Sequence, residues 1–173
     1  LLLAQAAVLW AMGQPPICAC GRIDLWHGDP SGPETSQHLT DWYTLTHVLH
    51  GLGFYALWWL VGRRWPIGLR FLLAMGLEVG WELLENTPAM IERYHEQALA
   101  QGYFGDSIVN ALGDTLAAAV GFGLARFLPV WSSVLLVLGI EFTLALAIRD
   151  NLTLNILQLV VPIEAIARWQ LGG

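Results

Sequence analysis

Acidic and imidazole side chains recur at helical spacing inside segments otherwise apolar enough to cross a membrane. No other feature restricts the fold as much. His47 and His50 are three residues apart; Glu78, Glu82 and Glu85 follow at i, i+4, i+7; Asp106, Asn110 and Asp114 follow at i, i+4, i+8. Each set occupies one face of its helix. Ionisable groups are costly in a bilayer, so they turn toward the bundle interior and mark sites. Three such faces at one depth predict a shared polar centre.

Composition agrees with a membrane environment. Of the 173 residues, 55% are hydrophobic and only 13% are charged, and the mean hydropathy is +0.53. A soluble domain of this length needs more polar surface, so the chain reads as an integral membrane protein. The net charge of −6 does not describe an acidic soluble surface, because several of the acids sit inside the apolar segments. There is no lysine, and the eight positive charges are all arginine. Without a basic patch, nucleic-acid binding is excluded as a function class.

The expected fold is an all-α integral membrane bundle of about six transmembrane helices, forming a single domain over residues 1–173. Leu1–Met12 is too short to span alone and reads as the second half of a first helix, with a signal-peptide core as the competing reading. Five further spans are expected at residues 44–61, 67–84, 108–127, 130–148 and 152–166. Each is ~15–20 residues, the last being on the short side for the hydrocarbon core. Arg63, Arg64, Arg70, Arg126 and Arg168 fall on one side of this arrangement, and Arg22, Arg93 and Arg149 on the other. By the positive-inside rule the first side is cytoplasmic. Both termini then lie inside, and loops 13–43 and 86–105 face the periplasm of a bacterial inner membrane. Thr87 and Pro88 predict the cap and first residue of a short surface helix carrying Met90, Ile91 and Tyr94.

This topology sets relative depth. His47 and His50, then Glu82 and Glu78, then Asn110 and Asp114 each lie one to two turns below the outer surface. Asn151 and Asn155 enter the same layer. Imidazoles and carboxylates from facing helices form a ligand set suited to Zn, Fe or Mn. The candidate ligands are His47, His50, Glu82 and Asp114. A metal there would activate water for hydrolysis. Without metal, crowded carboxylates suit acid–base work. The expected site is therefore His47, His50, Glu78, Glu82 and Asp114 as ligands or acid–base groups, with Asp106 and Asn110 orienting them. Another reading makes the same residues internal glue, because polar side chains also hold transmembrane helices together. The chain would then be an accessory subunit bound to other membrane proteins. A small transporter or proton relay is a third reading, which the lack of an evident internal repeat disfavours.

Three lesser features complete the reading. A C-x-C pair such as Cys18 and Cys20 rarely closes on itself, which leaves packed thiols or a soft-metal site. Gly76 and Gly80 form a small-x-x-x-small pair, expected to bring helices together inside the bundle. Glu141 and Glu164 read as structural acids, protonated or paired with Arg126 or Arg168.

Several stretches resemble an uncharacterised family of small multi-pass inner-membrane proteins from proteobacteria. They are Pro15 to Gly21, Ser36 to Tyr43, Thr46 to Gly51, Trp81 to Asn86, Gly105 to Ser107 with Asn110 and Asp114, and Ile148 to Asn155. The resemblance covers nearly the whole chain. It implies an inner-membrane location and contact with membrane lipids, and it carries no activity. The chain also resembles VanZ-like membrane proteins more distantly, through Asp41 with His47, Glu78 with Glu82, and Asp106 and Asn110 with Gly113. That likeness implies a role in the cell envelope.

Overall fold

The computed structural model describes residues 1–172. Among these, every regular element is a helix: α1 Leu2–Met12, α2 Thr44–Val61, α3 Ile67–Glu85, α4 Pro88–His95, α5 Ile108–Phe127, α6 Val130–Ile148, α7 Leu152–Val160 and α8 Glu164–Gln170. The helix starts follow local chemistry. Ser107 caps α5 by accepting the Asn110 N–H, and Asn151 caps α7 by accepting the Leu154 N–H. Thr87 accepts the Met90 N–H at the start of α4, with Pro88 in the first turn, as their pairing predicts. Upstream of α2, the Asp41 carboxylate accepts the N–H groups of Tyr43 at 2.8 Å and Thr44 at 3.3 Å.

Helix α5 is the hub, packed against α1, α2, α3 and α6, and its partnership with α2 is the most extensive. Glycines make that crossing possible. A β-carbon on Gly51 would run into the Ala118 carbonyl oxygen, and one on Gly121 would run into that of Val48. On the far side of α5, buried Gln5 of α1 donates to the Ala111 carbonyl at 3.0 Å and accepts from Thr115 Oγ1 at 3.0 Å. The loop over residues 13–43 covers the start of α5. Ile108 and Ser107 donate their N–H groups to the carbonyls of Pro15 and Ser36 at 2.8 and 2.9 Å.

Two helices, α5 and α6, are long and apolar enough to cross a membrane. Helices α2 and α3 are comparably long, at 18 and 19 residues. Their apolar character is diluted by His47 and His50 in one, and by Arg70, Glu78, Glu82 and Glu85 in the other. The expectation of six spans is thus met by an all-helical fold with two helices that satisfy the requirement alone. Helix α6 has the most exposed apolar side: Phe142 and Leu146 are 66% and 69% exposed.

The expected last span does not form. Arg149 adopts the left-handed conformation, φ +54°, and turns the chain back along α6. The N–H groups of Leu152 and Thr153 donate to the Glu141 carboxylate at 3.1 and 3.3 Å, so α7 begins beside the middle of α6. Glu141 therefore anchors α7 instead of pairing with Arg126 or Arg168. Pro162 then ends the helix, because the residue before a proline is pushed out of the helical region and Val161 is extended. Gln158 Oε1 accepts the Ile163 N–H at 2.6 Å across the break. Helix α8 returns to where α7 began. Gln170 Nε2 donates to Asp150 at 3.2 Å, and the Arg149 guanidinium donates to the Trp169 carbonyl at 3.1 Å. Residue 170 consequently lies at the end of the bundle that holds Tyr43 and Asp150, opposite to the expected cytoplasmic side. Glu164 lies 3.7 Å from Arg168.

Cys18 and Cys20 also depart from expectation, since they are joined as a disulfide. A local turn brings their Cα atoms to 5.2 Å, within the usual span for such a bond. In that turn Gly21, at φ +80°, donates its N–H to the Cys18 carbonyl.

Candidate functional site

The ionisable faces of α2, α3 and α5 converge. His47 Nδ1 lies 2.6 Å from Glu78 Oε1, and His50 Nδ1 lies 3.1 Å from Glu78 Oε2, so one carboxylate bridges two imidazoles. His47 Nδ1 is also 3.2 Å from Glu82 Oε1, and His47 Nε2 is 3.8 Å from Asp114 Oδ2. The spacing in sequence explains this. Offsets of three on α2 and of four on α3 place each pair on one face, and α5 contributes Asp114 from the opposite wall. All of these groups except the half-buried His50 are withdrawn from solvent; Glu78 and Glu82 are 0% and 1% exposed.

Hydrogen bonding is uneven across the cluster. Glu78 is satisfied by the two imidazoles. Neither oxygen of Glu82 has a hydrogen-bond partner, and neither does Asp114 Oδ1. A buried carboxylate without partners is costly, which points to a cation or a proton as its complement. The charge inventory makes the same point. Four carboxylates (Glu78, Glu82, Glu85 and Asp114) surround two imidazoles (His47 and His50), and among the described residues no arginine forms an ion pair with any of the four. Two groups offer ligand atoms within 4.8 Å of one another: His47, His50 and Glu78, and His47, Glu82 and Glu85. The donor set therefore fits a divalent ion. Glu78 and Glu85 enter it beside the expected His47, His50 and Glu82. Asp114 faces His47 from the other side.

Asp106 and Asn110 do not join the cluster. The Asp106 carboxylate accepts from Asn86 Nδ2 at 2.5 Å and from Tyr103 OH at 3.1 Å, while its backbone N–H donates to Asn86 Oδ1 at 2.7 Å. Burial is the largest influence on Asp106 and raises its pKa to about 6 despite those two bonds. Asn110 donates to the His38 carbonyl at 2.8 Å and so ties the outer loop to α5. Asn86, Tyr94 and Tyr103 were not anticipated as neighbours of the site. Asn86 was visible in the Trp81 to Asn86 stretch and Tyr94 on the expected short surface helix, which nothing in its spacing directs to the site, whereas Tyr103 arrives from a loop with no helical pattern.

A cavity of about 540 Å³ adjoins the cluster. Its lining includes the polar His47, His50, Glu85, Asp106 and Asp114 and the apolar Phe54, Leu77, Trp81 and Ile156, with the His50 ring 5.8 Å from that of Phe54 and 6.0 Å from that of Trp81. Gly76 and Gly80 also face it, and a β-carbon on either would meet nothing within 4 Å. They leave room for the cavity and do not bring helices together as expected. At the cavity rim Tyr43 OH donates to Asp150 at 3.3 Å. Burial raises the Asp150 pKa to about 6 and lifts that of Tyr43.

A second grouping, Cys18, Cys20, Glu34 and His38, lies in the outer loop. His38 is committed there: its Nδ1 accepts the Asp24 N–H at 3.1 Å and its Nε2 faces Glu34 at 3.0 Å. A metal on Nε2 would need the proton on Nδ1, where Asp24 already donates. With the cysteines joined, the loop reads as a structural staple.

Comparison with known proteins places the chain in a family. The family described as "Protein of unknown function (DUF2585)" matches residues 9–172. A UPF0314 protein of Paracoccus denitrificans is 48% identical over 170 residues, covering 98% of this chain and 88% of that protein. A UPF0314 protein of Rhizobium etli is 48% identical over 173 residues, covering 100% and 88%, and one of Sphingopyxis alaskensis is 44% identical over 174 residues, covering 100% and 92%. No solved structure matches the chain. The chain belongs to the DUF2585 family.

Proposed function

We propose, for this member of the DUF2585 family, a metal-assisted hydrolase or group-transfer enzyme of the bacterial inner membrane, its centre open to the periplasm and its substrate a lipid or other envelope component. The observation that carries this reading is Glu82: a carboxylate 1% exposed, without a hydrogen bond on either oxygen, beside an imidazole already paired with Glu78. A group held there against its own solvation energy is better accounted for by a ligand than by packing. His47, Glu82 and Glu85, with His50 or Glu78 completing the set, would hold the ion. A divalent ion there would polarise a substrate oxygen or lower the pKa of a bound water. His50 faces Glu78 through Nδ1 and also lines the cavity, so it is the group placed to exchange a proton with a bound molecule. The exposed apolar side of α6 supports burial in lipid, and the paired Arg63 and Arg64 favour a cytoplasmic position for the α2–α3 turn.

A second reading has its own support. Glu78 is fully satisfied between two imidazoles and joins α2 to α3, as internal glue would. In that case the chain is an accessory subunit that contacts other membrane proteins.

Element analysis of protein purified in mild detergent without chelators separates the two. The enzyme reading expects stoichiometric Zn, Fe or Mn, lost in Glu82→Gln. In the metal-free state Glu82→Gln raises the thermal midpoint, because it removes an uncompensated buried charge. Absence of stoichiometric metal, together with no stabilisation by added Zn²⁺, Mn²⁺ or Fe²⁺, would overturn the metal-assisted reading.

A further inference from the structure

Helix α3 gives the cavity an axis, from Glu85 at the helix end to Gly76 deeper in the bundle. At one end stand the imidazoles and carboxylates of α2, α3 and α5. At the other, α3 contributes a smooth strip in which Gly76 and Gly80 present no side chain and their absent β-carbons would meet nothing within 4 Å. Leu77 and Ile156 flank the strip and are 42% and 47% exposed. Helix α7 lines the same cavity through Leu152, Asn155 and Ile156, and the exposure of Leu77 and Ile156 leaves a lip between α3 and α7. The cavity volume of about 540 Å³ lies within the ~300–1,000 Å³ range of small-molecule sites.

Charge narrows the choice of occupant. No lysine or arginine lines the cavity, while Glu85, Asp106 and Asp114 all face it. No cationic side chain of the lining would therefore pair with an anionic head group. An anionic head group entering here would meet like charge in a poorly solvated space, which costs several kcal/mol in comparable interfaces.

We propose that the cavity binds a single-chain-deep amphiphile over the lip between α3 and α7, with its hydrocarbon chain on the Gly76–Gly80 strip and an uncharged or cationic head group at the His47–Asp114 end. This deepens the lipid-substrate reading above and shares its site, but chain capture itself requires neither metal nor turnover. The two glycines thereby acquire a role that helix packing does not give them. The apolar strip selects a chain, and the carboxylate-rich end selects against phosphate.

The test uses the full chain in a neutral detergent and three photoreactive probes with one alkyl chain: an alkyl glucoside, an alkyltrimethylammonium and an alkyl phosphate. Each is titrated with a chelator present and again with added Zn²⁺, and crosslinked peptides are mapped. Crosslinks are expected on α3 and α7, with the phosphate at least about tenfold weaker than the other two. Gly76→Leu and Gly80→Leu should abolish crosslinking. Gly53→Leu should leave it unchanged, because Gly53 also has open space at its β-carbon but lies outside the cavity. Gly80→Ala provides a milder variant and should reduce capture partially. Equal or tighter binding of the phosphate, or undiminished capture in both leucine variants, would overturn the proposal. Capture in the chelated protein with no metal bound under any condition would uphold it while removing the metal-assisted reading, so the two fail separately.

Discussion

Glycine does opposite work on the two sides of this bundle. Where α2 crosses α5, Gly51 and Gly121 sit against backbone carbonyls and no β-carbon fits. Along α3, Gly76 and Gly80 face open space. The first side is a closed interface whose precision fixes the bundle. The second is a vacancy in the packing, kept where ionisable groups converge. The contrast separates the part of the molecule that must be rigid from the part that must receive something. The largest expected effect comes from breaking the closed side. Gly51→Leu should prevent recovery of monodisperse protein, because overpacking costs ~1–3 kcal/mol even where side chains can yield and here the obstacle is backbone. Recovery of folded protein with an unchanged thermal midpoint would refute the tight crossing.

The next effect falls where the two sides meet. His47→Ala leaves Glu78, Glu82 and Asp114 without their shared imidazole and should cost about 3 kcal/mol, read as a lowered thermal midpoint in detergent. A neutral outcome would mean that the carboxylates are protonated and the imidazole is incidental. A comparable effect depends on pH at the cavity rim. Asp150 has a folded-state pKa of about 6 against an ordinary 3.8. Below pH ~4 both folded and unfolded chains hold the proton; between ~4 and ~6 the unfolded chain releases it first, so stability falls as pH rises through that window. The loss is up to about 3 kcal/mol, complete above pH ~6, and absent in Asp150→Asn. A midpoint that rises with pH across the window in the native chain alone would contradict the burial of Asp150. The smallest effect belongs to the open side: Gly76→Ala should stabilise by about 0.5–1 kcal/mol, read as a slightly raised thermal midpoint in detergent, since the added methyl enters empty space and alanine favours the helix.

This asymmetry also explains what the sequence disclosed. Helix α5 begins at Ile108 and α6 ends at Ile148, where the apolar runs begin and end, because length, caps and hydropathy are local properties. The offsets of His47 and His50, and of Glu78 and Glu82, likewise sufficed to put each pair on one face. Which glycines are crowded is not local. Gly51 and Gly76 both sit in apolar helices, and only the crossing partner distinguishes them. Asp106 misled for the same reason: its offset from Asn110 and Asp114 suits a stripe, yet Asn86 and Tyr103 claim its carboxylate from outside α5. Pro162 is a local stop inside the expected last span, whose apolar composition alone suggested a crossing. The Cys18–Cys20 bridge depends on a turn that residue spacing alone does not specify.

The fold-back of α7 and α8 has a consequence for sidedness. In the proposed bilayer α1, α2, α3, α5 and α6 alternate in direction, and the segment after Ile148 returns to the face it left. The segment after α6 therefore makes no complete crossing of that bilayer, and Gly172 falls on the same face as Asp150. Arg168 moves with the fold-back, which leaves Arg63, Arg64, Arg70 and Arg126 on one face and Arg22, Arg93, Arg149 and Arg168 on the other. The arginine totals are then equal, and orientation rests on the adjacent Arg63 and Arg64 in the short α2–α3 turn, where positive charge is effective. A periplasm-dependent reporter joined after Gly172 should be active, the same reporter placed between Arg63 and Arg64 should be silent, and Arg63→Gln with Arg64→Gln should weaken that distinction.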